Sequence, residues 1–275
     1  MEIKPLSGSL GAEIIGVQIA SLTDRQYNRV ESALIDYEVL FFRDQVLAPE
    51  DHALFAERFG PPQYHEAYPH VDGYRQLTIL ENDEANPSKI EMWHADMTFK
   101  EVPPRGSILH GVTIPESGGD TMFASMSVAF EALSSSMQTF LCSLTAVHSF
   151  EYGFKESLNE PGGSERLKEM VEQNPPVVHP VVRTHPQSGR SGLYVNRLFT
   201  ERIVELTASE SRELLKYLFD HITTPEFTCR FQWRAGSVAF WDNRITQHKP
   251  VNDYWPQRRR MQRITIDDDV RPALH

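Results

Sequence analysis

The chain contains the stretch Trp93-His94-Ala95-Asp96-Met97-Thr98-Phe99, in which a histidine and an aspartate stand two residues apart in a strand-like run. Alternate side chains of an extended segment point to the same face, so the His94 imidazole and the Asp96 carboxylate are predicted to lie side by side. Together they could supply two ligands to one metal ion. Because an isolated His-x-Asp pair is more often an exposed pair at a strand edge, a metal site needs a further ligand from elsewhere in the chain.

That further ligand is predicted far downstream, at His248. It follows the run Trp241-Asp242-Asn243-Arg244, which itself follows the strand-like Ser237-Val238-Ala239-Phe240. This order predicts that His248 lies just beyond the end of a strand. Two histidines and one carboxylate on one side of a metal form the facial triad of non-haem Fe(II) oxygenases, which leaves open coordination positions for reactants.

Many short strand-like runs and a few clustered helical patterns follow one another along the chain. We therefore predict a mainly β fold with flanking helices, built on a double-stranded β-helix (jelly-roll, cupin-like) core. One domain is expected over residues 1–275. Around residues 150–173 the composition turns to Gly, Pro, Glu, Lys and Ser. This segment is predicted to pass over the barrel mouth beside the active site, where mobile segments commonly gate access, although a merely exposed variable segment would have the same composition.

Composition excludes several classes of protein. The chain has 27 Lys and Arg against 38 Asp and Glu, a net charge of −11, which disfavours a nucleic-acid partner. No run approaches the roughly 20 apolar residues of a membrane helix, so no membrane association is expected. The N-terminus lacks a signal-peptide pattern. Only Cys142 and Cys229 are present, which fits a reducing compartment, and we predict a cytoplasmic location.

These motifs together resemble the Fe(II)/2-oxoglutarate-dependent dioxygenases of the taurine dioxygenase family. The resemblance covers nearly the whole chain, and several separate motifs carry it: Trp93 to Phe99, Gly118-Gly119-Asp120-Thr121, Val182-Arg183-Thr184-His185-Pro186, and Trp241-Asp242-Asn243-Arg244. It implies that His94, Asp96 and His248 are the metal ligands and the catalytic residues. It also implies Fe(II) as the metal, with 2-oxoglutarate and O2 as co-substrates, and a homo-oligomer is expected.

The resemblance assigns the co-substrate to Arg259, eleven residues after His248, with Thr121 as its hydroxyl partner. A fixed guanidinium suits the far carboxylate of 2-oxoglutarate because it offers two parallel hydrogen bonds. Arg258 and Arg260 alternate with Arg259, so in a strand they are predicted to face the opposite side.

A small anionic organic substrate is implied by Arg263, fifteen residues after His248, which matches the anion anchor of the family. The alternative for this arginine is a structural ion pair with one of the many acidic residues. The other substrate-binding residues that the resemblance implies are His65, Tyr68, Met97 and Phe154.

Because Asp96 is present, the resemblance implies a hydroxylase and not one of the related halogenases, which lack this carboxylate. Taurine or a related sulfonate is the leading substrate, with sulfite and an aldehyde as products. Alternatives are an alkyl sulfate, an aryloxyalkanoate or another carboxylate, or a catalytically inactive metal-binding member. Ile90 and Gly153 replace polar residues near the amine of taurine, so an ammonium would lose its partners there.

Seven further histidines have no partner at ligand spacing, and no role is predicted for them: His52, His110, His148, His179, His185, His221 and His275. His70 lies next to the predicted pocket loop, and its role is left open.

Overall fold

A computed structural model describes residues 1–64, 68–88 and 90–274. In this part of the chain sixteen strands form four sheets. The strands are β1 (Glu2–Pro5), β2 (Ala12–Ile15), β3 (Val39–Phe42), β4 (His70–Val71), β5 (Tyr74–Asn82), β6 (Gly106–Thr113), β7 (Thr121–Ser125), β8 (Thr145–His148), β9 (Val177–Pro180), β10 (Val182–Thr184), β11 (Ser191–Leu193), β12 (Thr200–Ile203), β13 (Thr228–Phe231), β14 (Val238–Asp242), β15 (Thr246–Pro250) and β16 (Arg259–Ile266).

Eight α-helices flank these sheets in the described residues. They are α1 (Asp24–Tyr37), α2 (Pro49–Glu57), α3 (Met126–Glu131), α4 (Ser135–Leu141), α5 (Phe150–Gly153), α6 (Lys155–Asn159), α7 (Gly163–Gln173) and α8 (Ala208–Ile222). None of the helices in these ranges is long and apolar enough to cross a membrane.

The largest sheet has eight strands in the order β1-β2-β3-β14-β6-β16-β5-β4. Its β2 and β3 run parallel, and its other neighbouring strands are antiparallel. A three-stranded sheet, β13-β7-β15, packs against one face of it. Phe41 of the large sheet stacks on Phe231 of the small sheet with 4.0 Å between ring centroids. The predicted mainly β fold with a double-stranded β-helix (jelly-roll) core is confirmed.

Helices α1 and α2 cover the opposite face of the large sheet. They bury the apolar side chains that β3 presents on that side. Phe41 packs into the core between the sheets, whereas Leu40 and Phe42 pack toward the helices. Helix α1 begins at a capping box, in which the side chains of Thr23 and Gln26 each accept a hydrogen bond from the other residue's backbone N–H. These two layers hold β14 and β16 rigidly under the cavity described below.

The predicted excursion at residues 150–173 consists of α5, α6 and α7. Its apolar side chains pack on a cluster formed by Phe99, Phe150, Leu198 and Phe199. The segment therefore forms one wall of the cavity, and its gating role stays a prediction.

A buried carboxylate lies where α1 ends, at Glu38, whose φ is 66° and whose relative exposure is 1%. Its Oε1 accepts hydrogen bonds from Ser127 Oγ at 2.5 Å and from Arg190 Nη1 at 3.0 Å. Burial nevertheless raises the pKa of Glu38 to about 7. The folded state therefore favours the neutral acid.

This raised pKa predicts a pH-dependent stability. The contribution of Glu38 is fully present below its unfolded pKa and is lost as the pH rises through about 7. Between about pH 5 and pH 8 the unfolding free energy of the unmodified chain is expected to fall by on the order of 1–3 kcal/mol more than that of Glu38→Gln. Urea denaturation at both pH values measures this difference, and equal pH slopes for the two proteins would contradict it.

Candidate metal centre and active site

Three side chains predicted as metal ligands meet at one point between the two sheets. One ligand atom from each of His94, Asp96 and His248 lies within 4.8 Å of the other two. Asp96 Oδ1 is 3.7 Å from His94 Nε2 and 4.0 Å from His248 Nε2. Among the described residues, this is the one group of histidine, cysteine and carboxylate side chains with such spacing. The predicted juxtaposition is therefore present.

The two histidines are held together by backbone hydrogen bonds. His94 N donates to His248 O at 3.0 Å, and His248 N donates to His94 O at 2.8 Å. His248 lies inside β15, paired with Phe123 of β7, so the prediction that it lies just beyond a strand end is wrong. A reciprocal pair of this kind places both side chains on the same face.

The stretch from Trp93 to Phe99 is not a strand, which corrects the sequence prediction. His94 makes an isolated bridge, and the chain then turns at Met97, whose φ is 53°. A non-glycine residue in this left-handed conformation costs on the order of 1–3 kcal/mol and persists where the surroundings impose it. The carboxylate thus meets the two imidazoles through a turn and not through strand alternation.

The turn at Met97 is supported by buried polar groups that contact the next residue, Thr98. Its Oγ1 accepts a hydrogen bond from Asn196 Nδ2 at 2.9 Å and lies 2.9 Å from His148 Nδ1. Its carbonyl oxygen lies 3.0 Å from His179 Nε2. Burial lowers the pKa of both histidines. His148 and His179 therefore act as neutral supports behind the metal site, which ligand spacing in the sequence does not reveal.

The protonation states of His94 and His248 suit the binding of a metal ion. His94 Nδ1 lies 2.8 Å from Met92 O, a contact that requires the proton on Nδ1 and leaves the Nε2 lone pair toward Asp96. Burial lowers the pKa of His94, and it lowers the pKa of His248 to about 3. Neutral imidazoles are the form that binds metals.

Asp96 is the ionised member of the centre. Burial alone would raise its pKa, but interactions with the two imidazoles, the Arg263 guanidinium and the Ser107 hydroxyl outweigh burial and lower the pKa of Asp96. Its Oδ2 accepts a hydrogen bond from Ser107 Oγ at 3.3 Å, which leaves Oδ1 turned toward the two histidines. The donor set fits a divalent cation with open positions.

Arg259 occupies the bottom of the same cavity with little compensation for its charge. Its relative exposure is 8%, and its Nε finds no hydrogen-bond acceptor among the described residues. Burial lowers the pKa of Arg259 to about 10, so it stays charged at neutral pH. Thr121 Oγ1 lines this cavity and accepts a hydrogen bond from Trp233 Nε1 at 2.9 Å. The carboxylate of a bound co-substrate would supply an acceptor to this buried guanidinium, whose Nε has none among the described residues.

The alternation predicted around Arg259 is confirmed for Arg258, which does not line the cavity. Arg258 and Arg260 both form ion pairs with Glu81, and the Arg260–Glu81 pair contributes to the cavity lining. The pairing of β16 with β5 is regular from Arg259 to Arg263, so these two arginines share the inner face and line one cavity. Arg263 Nη1 lies 3.8 Å from Asp96 Oδ1.

The cavity has a volume of about 1090 Å³ and joins these arginines to the two histidines. This is at the upper end of the roughly 300–1,000 Å³ of small-molecule sites. Tyr68 and Phe154 line it, as predicted for substrate contacts. Met97 instead packs into the aromatic cluster beside it. The predicted substrate residue His65 lies outside the described residues.

One side of the cavity, which we call the apolar wall, consists of Ile90, Phe154, Leu167 and Leu198. Gly153 also lines the cavity, and a Cβ at this position would lie 2.5 Å from Phe199 Cδ1. A serine therefore does not fit at position 153, for reasons of packing. The sequence analysis singled out Ile90 and Gly153 but missed Leu167. The amphipathic pattern of α7 is the only feature of the sequence that marks Leu167 as inward-facing.

Comparisons with known proteins agree with this arrangement. The family model described as taurine catabolism dioxygenase TauD, TfdA family matches residues 2–265. An alkylsulfatase of Acinetobacter baylyi is 39% identical, with 100% of this chain and 87% of the relative covered. An alpha-ketoglutarate-dependent sulfate ester dioxygenase of Pseudomonas putida is 38% identical, with coverages of 98% and 90%. The solved structure of a taurine dioxygenase from Burkholderia xenovorans superposes with a TM-score of 0.84 at 37% identity, with coverages of 99% and 92%.

Proposed function

The chain belongs to the taurine catabolism dioxygenase TauD, TfdA family, and from that premise we propose that its substrate is an alkyl sulfate ester. It is a dioxygenase that couples oxidative decarboxylation of 2-oxoglutarate, to succinate and CO2, to hydroxylation of a small anionic substrate. The observation that carries the choice of ester is that one cavity combines Arg263, beside the candidate metal ligand Asp96, with an apolar wall.

In this proposal His94, Asp96 and His248 would hold Fe(II), because they offer two neutral imidazoles and one carboxylate on one side. Arg259 and Thr121 would hold the far carboxylate of 2-oxoglutarate, since this buried guanidinium has an unpaired Nε. With 2-oxoglutarate and O2, the Fe(II) centre supplies the oxidant that hydroxylates a C–H bond.

Arg263 would bind the sulfate group and thereby choose the carbon that reacts. Its side chain is 16% exposed, and its Nε has no hydrogen-bond partner among the described residues. Because Arg263 Nη1 lies 3.8 Å from Asp96 Oδ1, a bound head group is held beside the metal ligands. Carbons one or two bonds from the sulfate are then the ones within reach.

The apolar wall would take the alkyl tail. The side chains of Ile90, Phe154 and Leu167 offer no acceptor for the ammonium of taurine, and a buried unpaired charge is costly. The volume of about 1090 Å³ also suits a chain longer than that of taurine. These features, with the names of the two relatives, lead us to rank alkyl sulfates above taurine, which the sequence resemblance alone placed first.

The products follow from where the hydroxyl group is added. On the carbon bearing the ester oxygen, the new hydroxyl loses its proton, a C=O bond forms, and the C–O bond to sulfate breaks. An aldehyde and inorganic sulfate result.

A matched substrate panel tests this ranking. With Fe(II), 2-oxoglutarate and O2, hexyl sulfate is expected to have at least about tenfold higher kcat/KM than taurine, or about 1.4 kcal/mol. Succinate, sulfate and sulfite release are measured together, and hexanesulfonate is the control that keeps the anion and the tail but lacks the ester oxygen. A tenfold preference for taurine would mean that another group recognises the ammonium, and the substrate proposal would fail.

We also propose that residues 1–275 form one domain, because β15 and β16 of different sheets both contribute side chains to one cavity. The homo-oligomer stays a prediction.

A further inference from the structure

The side chain of Asn243 joins two parts of the candidate metal centre. Asn243 is 1% exposed and lies in the turn between β14 and β15. Its Oδ1 accepts a hydrogen bond from Asp96 N at 2.6 Å. Its Nδ2 donates to Asp96 O at 3.0 Å and to Pro104 O at 3.1 Å. One amide group thus pairs both backbone polar groups of the candidate carboxylate ligand.

These bonds act where the backbone needs support. Asp96 directly precedes Met97, whose φ of 53° is unfavourable for a residue with a side chain. Asn243 also lies in the connection that leads from β14 into β15 and His248. Its amide therefore ties the turn that presents Asp96 Oδ1 to the segment that presents His248 Nε2.

We propose that Asn243 is a positioning residue for the metal centre. It holds the backbone of Asp96 in the strained turn, so that Oδ1 stays within ligand distance of His94 and His248. Asn243 does not line the cavity, and Asp96 is the candidate ligand to which its side chain is hydrogen-bonded. The inference rests on the proposed role of these three residues as metal ligands.

Few other side chains could pair both the backbone N–H and the carbonyl oxygen of Asp96. The pattern at Asp96 requires one acceptor and one donor at the end of a short side chain, which an amide provides and a carboxylate does not. Asn243→Asp would leave Asp96 O and Pro104 O without their donor and would place a negative charge beside two carbonyl oxygens. Both Asn243→Asp and Asn243→Ala are therefore expected to loosen the turn.

Measuring the affinity for a metal ion tests the inference without requiring catalytic turnover. Mn(II) is titrated calorimetrically into each protein in the absence of 2-oxoglutarate and substrate. Asn243→Ala and Asn243→Asp are expected to weaken Mn(II) binding by about 10- to 100-fold, the usual effect of removing a group that orients a ligand. Leu144→Ala is the control, because Leu144 is buried in a separate core and its truncation lowers stability without touching the turn.

A second substitution tests the strain itself. Glycine adopts positive φ without the penalty that a Cβ brings, so Met97→Gly lets the turn form with less help. In the Asn243→Ala background, Met97→Gly is expected to recover part of the lost Mn(II) affinity. In the unmodified chain the same change is expected to have a smaller effect.

The outcomes separate the inference from the proposed function. If the unmodified chain fails to bind Mn(II), both the metal assignment and the role of Asn243 are overturned. If it binds Mn(II) and Asn243→Ala binds equally well, only the positioning role is overturned. If Leu144→Ala weakens binding as much as Asn243→Ala does, affinity follows global stability and the positioning role is again overturned.

Discussion

Alanine at His94, Asp96 or His248 is expected to abolish coupled turnover of 2-oxoglutarate. Each substitution leaves two ligands, which hold Fe(II) loosely and no longer define one open face. The loss should exceed the roughly 10- to 100-fold effect of changing a residue that only orients a ligand. For Asp96→Ala there is an added cause, since Arg263 Nη1 loses the carboxylate that lies 3.8 Å away.

Succinate release at saturating Fe(II), 2-oxoglutarate and substrate measures this loss. His70→Ala is the matched control, because His70 is an exposed histidine on β4, away from the three ligand atoms. It should retain the activity of the unmodified chain. Near-native activity in any of the three alanine variants would remove that residue from the metal centre.

Arg259→Ala is expected to raise the concentration of 2-oxoglutarate that half-saturates the enzyme by about 10- to 150-fold. The basis is the roughly 1.5–3 kcal/mol of a hydrogen bond to a charged group, at 1.4 kcal/mol per tenfold change. The guanidinium is buried and has an unpaired Nε, so a co-substrate carboxylate would gain a partner that water supplies poorly there. The turnover number at saturation should change much less than the half-saturating concentration.

The neighbouring Arg258 provides the control for Arg259. It has the same side chain and lies one position earlier, but it faces outward and pairs with Glu81. Arg258→Ala should therefore leave the half-saturating concentration nearly unchanged in initial-rate measurements of succinate. Equal effects of the two substitutions would show that the inner face of β16 does not bind the co-substrate.

Chemistry that depends on residue type and local spacing could be predicted from the sequence. The alternation that turns Arg259 and Arg263 inward and Arg258 outward needs only an extended strand. The capping box at Thr23 involves a neighbour three residues away. The identity of the three candidate ligands followed from their chemistry, because two imidazoles and one carboxylate suit a divalent metal.

Features that depend on contacts between distant segments were decided by the tertiary structure alone. Strand composition around Asp96 predicted an extended segment, but Asn243, Asn196 and His179 hold the chain in a turn there. The close approach of Phe199 leaves no room for a side chain at Gly153, and the sequence does not show this contact. Long-range pairings of this kind outweigh the small energies of local preference, which is why residue types and motifs identified the candidate ligands, whereas strand alternation mispredicted the backbone that presents Asp96.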